Sequence, residues 1–374
     1  MSKALMRRVD PAVVWTAALI ASLLPLLAAV DPILRYVHVL APNNPWAQWS
    51  LSPGITVPTL AVVALYIAGN RDTAPGVRDP HPEFRHLAFF GGVAAVFLAL
   101  QSPIEQISDH SFAVHAVEHM LLRTVGPMLL MLAAPQAALL RGLPGFLRRR
   151  VVAPLLSSSP VRALGILGHP AVATLLFIGA SDFWMIPHFH DLSLLDEPIH
   201  YLWHTTLLLT GLIFFWRLLD PRSHPYGAAL GTRLLMFWFA AINDILLGYF
   251  LTFKHEVLYH AYDQFGRYWG VAPLTDESLG GLTMWVPGCM MLSIAALLVI
   301  YRWTRQEERR AARARGAAVT ITADEFILRR RAANRKTAVV LLAFAATVLM
   351  IATMSALLNR YSGAAVGIAA MLNR

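Results

Sequence analysis

Long apolar runs recur along the chain, separated by short polar segments rich in proline, arginine and histidine. Nine stand out, at about 12–30, 55–69, 87–104, 112–134, 170–187, 200–219, 233–253, 279–301 and 337–358. A helix that crosses a bilayer needs about 20 apolar residues, and the shorter runs reach that length with their flanks. No alternating ten-residue pattern of the membrane-barrel kind is present. Lipid cannot hydrogen-bond a bare backbone, so such runs become helices. The pattern predicts an all-α, polytopic transmembrane bundle of nine spans.

The basic residues orient it. With the N-terminus in the cytoplasm, Lys3, Arg7 and Arg8 lie inside, followed by Arg71, Arg78 and Arg85, then Arg141, Arg148, Arg149, Arg150 and Arg162. Arg217, Arg222 and Arg233 come next, and then eleven from Arg302 to Lys336. Only Arg35, Lys254, Arg267, Arg360 and Arg374 fall outside, and Arg123 alone lies within a span. Cytoplasmic loops carry the excess of lysine and arginine, so the expected topology is N-terminus inside and C-terminus outside.

Composition agrees. Hydrophobic residues make up 57% and charged residues 14%, against about 25% charged in soluble domains; such a chain could not clothe a soluble surface. The net charge of +9 is mostly a topology signal. The arginine runs lack interleaved aromatics or a reading motif, which excludes nucleic acid as a partner. The single cysteine, Cys289, excludes an intrachain disulfide and a thiolate-only metal site.

Four segments follow. Residues 1–54 hold the first span, a retained anchor or alternatively a cleaved signal peptide, and an outer loop. Residues 55–303 hold a seven-span core. Residues 304–336 form a basic cytoplasmic segment suited to lie on anionic lipid, and 337–374 carry the ninth span and a tail.

Histidine runs against lysine and arginine. Ten of the fourteen histidines fall on the outer side or outer span ends, among them His115, His119, His188, His190, His200 and His204. Two pairs are spaced four apart, His115/His119 on the fourth span and His200/His204 on the sixth. Residues at i and i+4 share a helix face about 6 Å apart, so both imidazoles of a pair can hold one ion, and neutral imidazole suits copper, zinc and iron. Near the outer interface these residues are expected to carry little core packing. The alternative is interfacial histidines satisfied by water and headgroups.

Other candidates surround the pairs. Glu118 adjoins His119, Asp182 lies near the outer end of the fifth span, and Asn243 and Asp244 lie within the seventh. Intramembrane carboxylates either orient ligand histidines or neutralise a buried cation. Arg123 is that cation, and Asp244 is its preferred partner because it lies deeper than Asp182. His188 and His190 are possible extra ligands. Met284 and Met291, seven apart on the eighth span, are soft donors suited to cuprous copper, although most methionines in such helices only pack.

Three motifs carry a resemblance. The first is His115-Ala116-Val117-Glu118-His119-Met120-Leu121-Leu122 with Pro127 and Ala134-Pro135 following; the second is His200-Tyr201-Leu202-Trp203-His204 before Phe214-Phe215-Trp216. The third is Tyr268-Trp269-Gly270-Val271-Ala272-Pro273-Leu274-Thr275-Asp276, then Gly280-Gly281-Leu282-Thr283-Met284-Trp285-Val286-Pro287-Gly288. Over about 55–303 the chain resembles the integral-membrane CtaG family of cytochrome c oxidase assembly factors, of the caa-oxidase type. CopD-type copper-resistance membrane proteins share its general character. The sequence departs from the family pattern at Ala116, Glu118, Arg123 and Glu277-Ser278.

The resemblance implies a non-enzymatic factor of the bacterial plasma membrane. Such a factor handles copper on the outer face for an oxidase subunit, with His115, His119, His200 and His204 as the metal ligands. A copper transporter is one alternative; its ligands would have to continue through the membrane, and here they thin out toward the cytoplasmic half. A bis-histidine haem carrier is another. There is no nucleophile–base pairing and no glycine-rich phosphate loop, so catalysis is not expected.

Overall fold

The computed structural model describes residue 46 and residues 49–71, 82–159, 164–222 and 227–316. The expected spans at 12–30 and 337–358, and most of the basic segment, lie outside the described residues. The chain divides into two compact units, Met1–Trp303 and Thr304–Arg374. In the second, the described turns carry Arg305–Glu308 and Arg310–Glu307 pairs three residues apart.

The described residues are helical, with no strand among them. In chain order the main helices are α1 (Pro53–Arg71), α2 (Pro82–Gln101), α3 (Pro103–Ser108), α4 (Phe112–Met120), α5 (Gly126–Ala133), α6 (Gln136–Gly142), α7 (Pro170–Trp184), α8 (Pro187–Leu195), α9 (Glu197–Leu218), α10 (Leu230–Phe253), α11 (Ala261–Phe265) and α12 (Pro273–Gly316). Six of them begin on a proline, whose ring presets the helical φ and whose missing N–H costs nothing in the first turn. Side-chain caps start three: Ser102 accepts from Ile104 N, Ser111 from Val114 N and Asp196 from Ile199 N.

Among the described residues, six helical stretches are long and apolar enough to cross a membrane: Pro53–Arg71, Glu83–Gln101, Phe112–Ala133, Glu197–Leu218, Leu230–Phe253 and Pro273–Ala312. The protein is a multi-pass membrane protein. The expected fifth span, 170–187, is not one straight helix. α7 stops at Trp184, and α8 leaves it at 74°, so the pair is a broken span or a re-entrant segment, and the described residues hold six or seven spans. Pro187 accounts for the break: it disfavours helix at Ile186 before it, whose ψ of 122° is extended. The expected third span, 87–104, likewise ends at Gln101, where Ser102 breaks out to cap α3.

Packing follows the logic of lipid, where helices gain little from hiding apolar surface and instead approach closely at small residues. Gly69 on α1 and Gly142 on α6 interlock: a Cβ at either would sit within 2.0 Å of a backbone oxygen of the facing helix. Leu87, Leu175, Leu246 and Leu297 project from the bundle, a belt for acyl chains. Between α4 and α5 the chain makes one π-helical turn, Leu121–Val125. It bulges toward α9 at Gly211, where a Cβ would come 2.3 Å from Arg123 O.

The two ends of the bundle differ. At one, arginines bind loop and helix-end carbonyls: Arg85 to Ala133 O and Ala134 O, Arg141 to Gly69 O, Arg233 to Asp220 O, and Arg302 to Leu219 O. There burial alone would raise the Asp220 carboxyl, but hydrogen bonds from Arg222 outweigh it and hold it below the usual range. The other end carries the two histidine pairs and the main aromatic core, centred on Phe112, Trp184, Trp203, Tyr259 and Tyr262.

Candidate metal centre

α4 and α9 meet at the histidine end with His115, Glu118 and His119 facing His200, Trp203 and His204. The i,i+4 spacing stacks each pair on one face: the rings of His115 and His119 are 4.1 Å apart, those of His200 and His204 4.3 Å. Across the helices, His115 lies 5.4 Å from His200, and His119 5.3 Å from His204. His200 Nε2 and His204 Nε2 are 3.0 Å apart, and His204 Nε2 is 3.3 Å from Glu118 Oε1. The two pairs form one cluster.

The sequence expectation of interfacial rings is corrected here. His115 is 1% exposed and Glu118 0%. α3 and the loop 254–272 fold over this end and move the water boundary outward, which a hydropathy pattern does not show. Among the described residues, His115 Nε2, His119 Nε2 and both Glu118 oxygens are buried without a well-formed hydrogen bond. Orphaned buried polar atoms are costly, and imidazole nitrogens with no partner suit a metal. Nitrogens of His115, His200 and His204 lie within 4.8 Å of one another. Two nitrogens at ~2.0–2.1 Å from one ion stand at most ~4 Å apart, so small rotamer shifts would close the set.

Below the cluster lies a cavity of about 40 Å³, lined by His115, His119, Met120, Arg123, Met185, Asp244 and Met284 among others. At ~10–15 Å³ per water it has room for about three. Arg123 forms its floor. Its guanidinium meets Asp244 at 3.0 and 3.3 Å and lies 3.8 Å over the Phe177 ring. Asp182 is not part of that pair; it accepts from Asn243 Nδ2 at 2.8 Å.

Other candidates separate. His190, on α8 after the bend, is fully buried and joins the cluster, 5.7 Å from His115 ring to ring. His188 is exposed and contacts Phe189, outside the cluster. Met284 lines the cavity, whereas Met291 does not.

Sequence reasoning missed two groups. The first is aromatic. Trp203 packs 4.2 Å from His119 and 4.8 Å from His115, and Tyr262 Oη lies 2.7 Å from His115 Nδ1 and 2.9 Å from His190 Nε2. Trp203 stood between the second histidine pair, but nothing local marks Tyr262. Burial, then the Asp276 charge, keeps its hydroxyl pKa well above the usual range; for Tyr259 burial and Glu277 do the same.

The second group is the acidic pair of the third motif. Asp276 accepts from Phe112 N at 2.8 Å, Ala113 N at 3.1 Å and Ser111 Oγ at 2.7 Å, and pairs with Arg267 at 2.7 Å. It pins the first turn of α4, favourably placed at a helix N-terminus. Glu277 pairs with Lys254 and accepts from Leu258 N and Tyr259 N at 3.0 Å, which fixes the loop bearing Tyr262. Two neighbouring carboxylates thus hold two sides of the histidine cluster.

The model of the cytochrome c oxidase caa3 assembly factor family matches residues 64–306, well over half of the chain. The chain belongs to this family. An uncharacterized protein of Mycobacterium leprae (strain TN) is 28% identical over 261 residues, and one of Mycobacterium bovis 29% over 259. Each match covers 65% of this chain but 38% of the relative, so the chain spans well under half the length of these curated relatives. No solved structure matches. The caa3 assembly factor match contains α4, α9, the third motif and every member of the cluster.

Proposed function

We propose that this protein is a non-enzymatic assembly factor of cytochrome c oxidase that holds a copper ion as cargo and passes it to an oxidase subunit. The observation that carries the reading is the cluster of His115, His119, His200 and His204, in which the Nε2 atoms of His115 and His119 are buried without a partner beside a cavity that both residues line. Imidazole with nearby thioethers suits copper in its cuprous state. The family supplies the oxidase, and the cluster supplies the chemistry. In this reading the protein lies in the bacterial plasma membrane, N-terminus cytoplasmic and C-terminus outside, with the cluster at the outer face and lipid around the bundle.

Two alternatives fare less well. A transporter would need a path past Arg123, which lines the cavity and is held there by Asp244. A haem carrier would need a slot for a porphyrin, and space for about three waters offers none.

Metal analysis and an absorption spectrum of the purified protein test the reading. Copper near one equivalent without a Soret band is expected, falling sharply in a His115→Asn, His119→Asn double variant. Equal copper in both proteins overturns it; a Soret band replaces it with the haem reading.

A further inference from the structure

Three hydrogen bonds link a backbone carbonyl to the cluster. His190 Nδ1 lies 3.2 Å from Trp184 O, His190 Nε2 lies 2.9 Å from Tyr262 Oη, and Tyr262 Oη lies 2.7 Å from His115 Nδ1. Trp184 and His190 lie on either side of the bend between α7 and α8, Tyr262 comes from the loop 254–272, and His115 comes from α4. His190 and Tyr262 are both fully buried.

We propose that Trp184 O, His190 and Tyr262 form a relay that sets the tautomer of His115 and presents its Nε2 lone pair to the cavity. The direction of every proton follows from the first link. A carbonyl oxygen only accepts, so His190 Nδ1 carries the hydrogen. A neutral imidazole has one N–H, so His190 Nε2 is an acceptor. Tyr262 therefore donates its single O–H to His190. Toward His115 the phenol oxygen can only accept, so His115 Nδ1 is the donor. His115 Nε2 is left bare, and it is the atom that is buried with no protein partner.

The surroundings keep His190 neutral. Its ring lies between those of Tyr259 at 4.0 Å, Trp203 at 4.8 Å and Phe112 at 5.5 Å, and no carboxylate bonds to it among the described residues. An imidazolium there would have no counter-ion.

The consequence concerns the metal. A ligand imidazole must offer an unprotonated nitrogen, and the hydrogen bond at its other nitrogen decides which one that is. His190 is then a positioning residue rather than a ligand, since both of its nitrogens are engaged. Tyr262 acts through His115 in the same way. The consequence for affinity rests on the copper reading; the tautomer is a property of the metal-free protein.

The test uses full-length, metal-free protein with ¹⁵N-labelled histidine in nanodiscs, with His115 assigned by its loss in His115→Asn. The wild type should show a proton on His115 Nδ1 and a pyridine-type Nε2. Tyr262→Phe keeps the ring packing and should shift His115 toward the Nε2–H form. His190→Leu should shift it further, because the freed hydroxyl turns its donor toward His115 Nδ1. Titration with cuprous ion alone should show affinity lowered roughly 10–100-fold in Tyr262→Phe. A proton on Nε2 in the wild type, or a tautomer unmoved by both substitutions, overturns the relay. The relay tautomer in a wild type that binds no copper upholds the relay and removes the copper reading instead.

Discussion

Arg123 and Asp244, on different helices and 121 residues apart in sequence, form a buried two-point ion pair, Nη2 to Oδ1 at 3.0 Å and Nη1 to Oδ2 at 3.3 Å. The π-helical turn at Leu121–Val125 carries the arginine. Such turns recur at functional sites because they re-aim side chains within an otherwise regular helix. Here the turn puts a fixed cation beside a cavity whose other wall is imidazole.

Breaking one side of this pair strands a charge in the bundle and typically costs about 3–5 kcal/mol. Arg123→Leu should therefore lower the melting temperature in detergent and the amount of protein in the membrane. Adding Asp244→Asn should restore part of the loss. A single variant as stable as the wild type would refute this.

Glu118→Gln should weaken copper binding less than His119→Asn. The carboxylate lies 3.3 Å from His204 Nε2, where it would act on a ligand rather than replace one, and such partners cost roughly 10–100-fold in affinity. Competition titration with a cuprous chelator ranks the two variants. The reverse order would make Glu118 a ligand.

Asp109, in the loop before α4, has its carboxyl pushed up to about 7, by burial first and the charge of Glu105 second. Its ordinary value is 3.8, so between about pH 4 and 7 the folded protein binds more protons than the unfolded chain. By linkage, stability from this group is present at low pH and is lost as pH rises through that window. Asp109→Asn should flatten the fall in melting temperature over this range. An unchanged pH profile would remove Asp109 as its source.

Reporter fusions after residues 110 and 195 should report the outer compartment, and fusions near 150 the cytoplasm. If 110 and 150 report the same side, the span Phe112–Ala133 does not cross, and the outward-facing cluster fails with it.

The sequence by itself determined that this is a helical membrane protein, because a 20-residue apolar run has few other fates in water or lipid. It also brought out the histidine pairs, since a spacing of four is a local property of any helix, and it marked Arg123 as needing a carboxylate. Tertiary structure decided the rest. Whether two pairs make one site or two depends on which helices are neighbours, and spacing is silent on that. The depth of His115 depends on loops folding over it. Tyr262 and His190 lie 72 residues apart and carry no shared pattern; only the bend after Trp184 and the carboxylates of Asp276 and Glu277 bring them together. The tautomer of His115 belongs to the same class, since a proton's position is settled by the partner at the far end of a hydrogen-bonded chain.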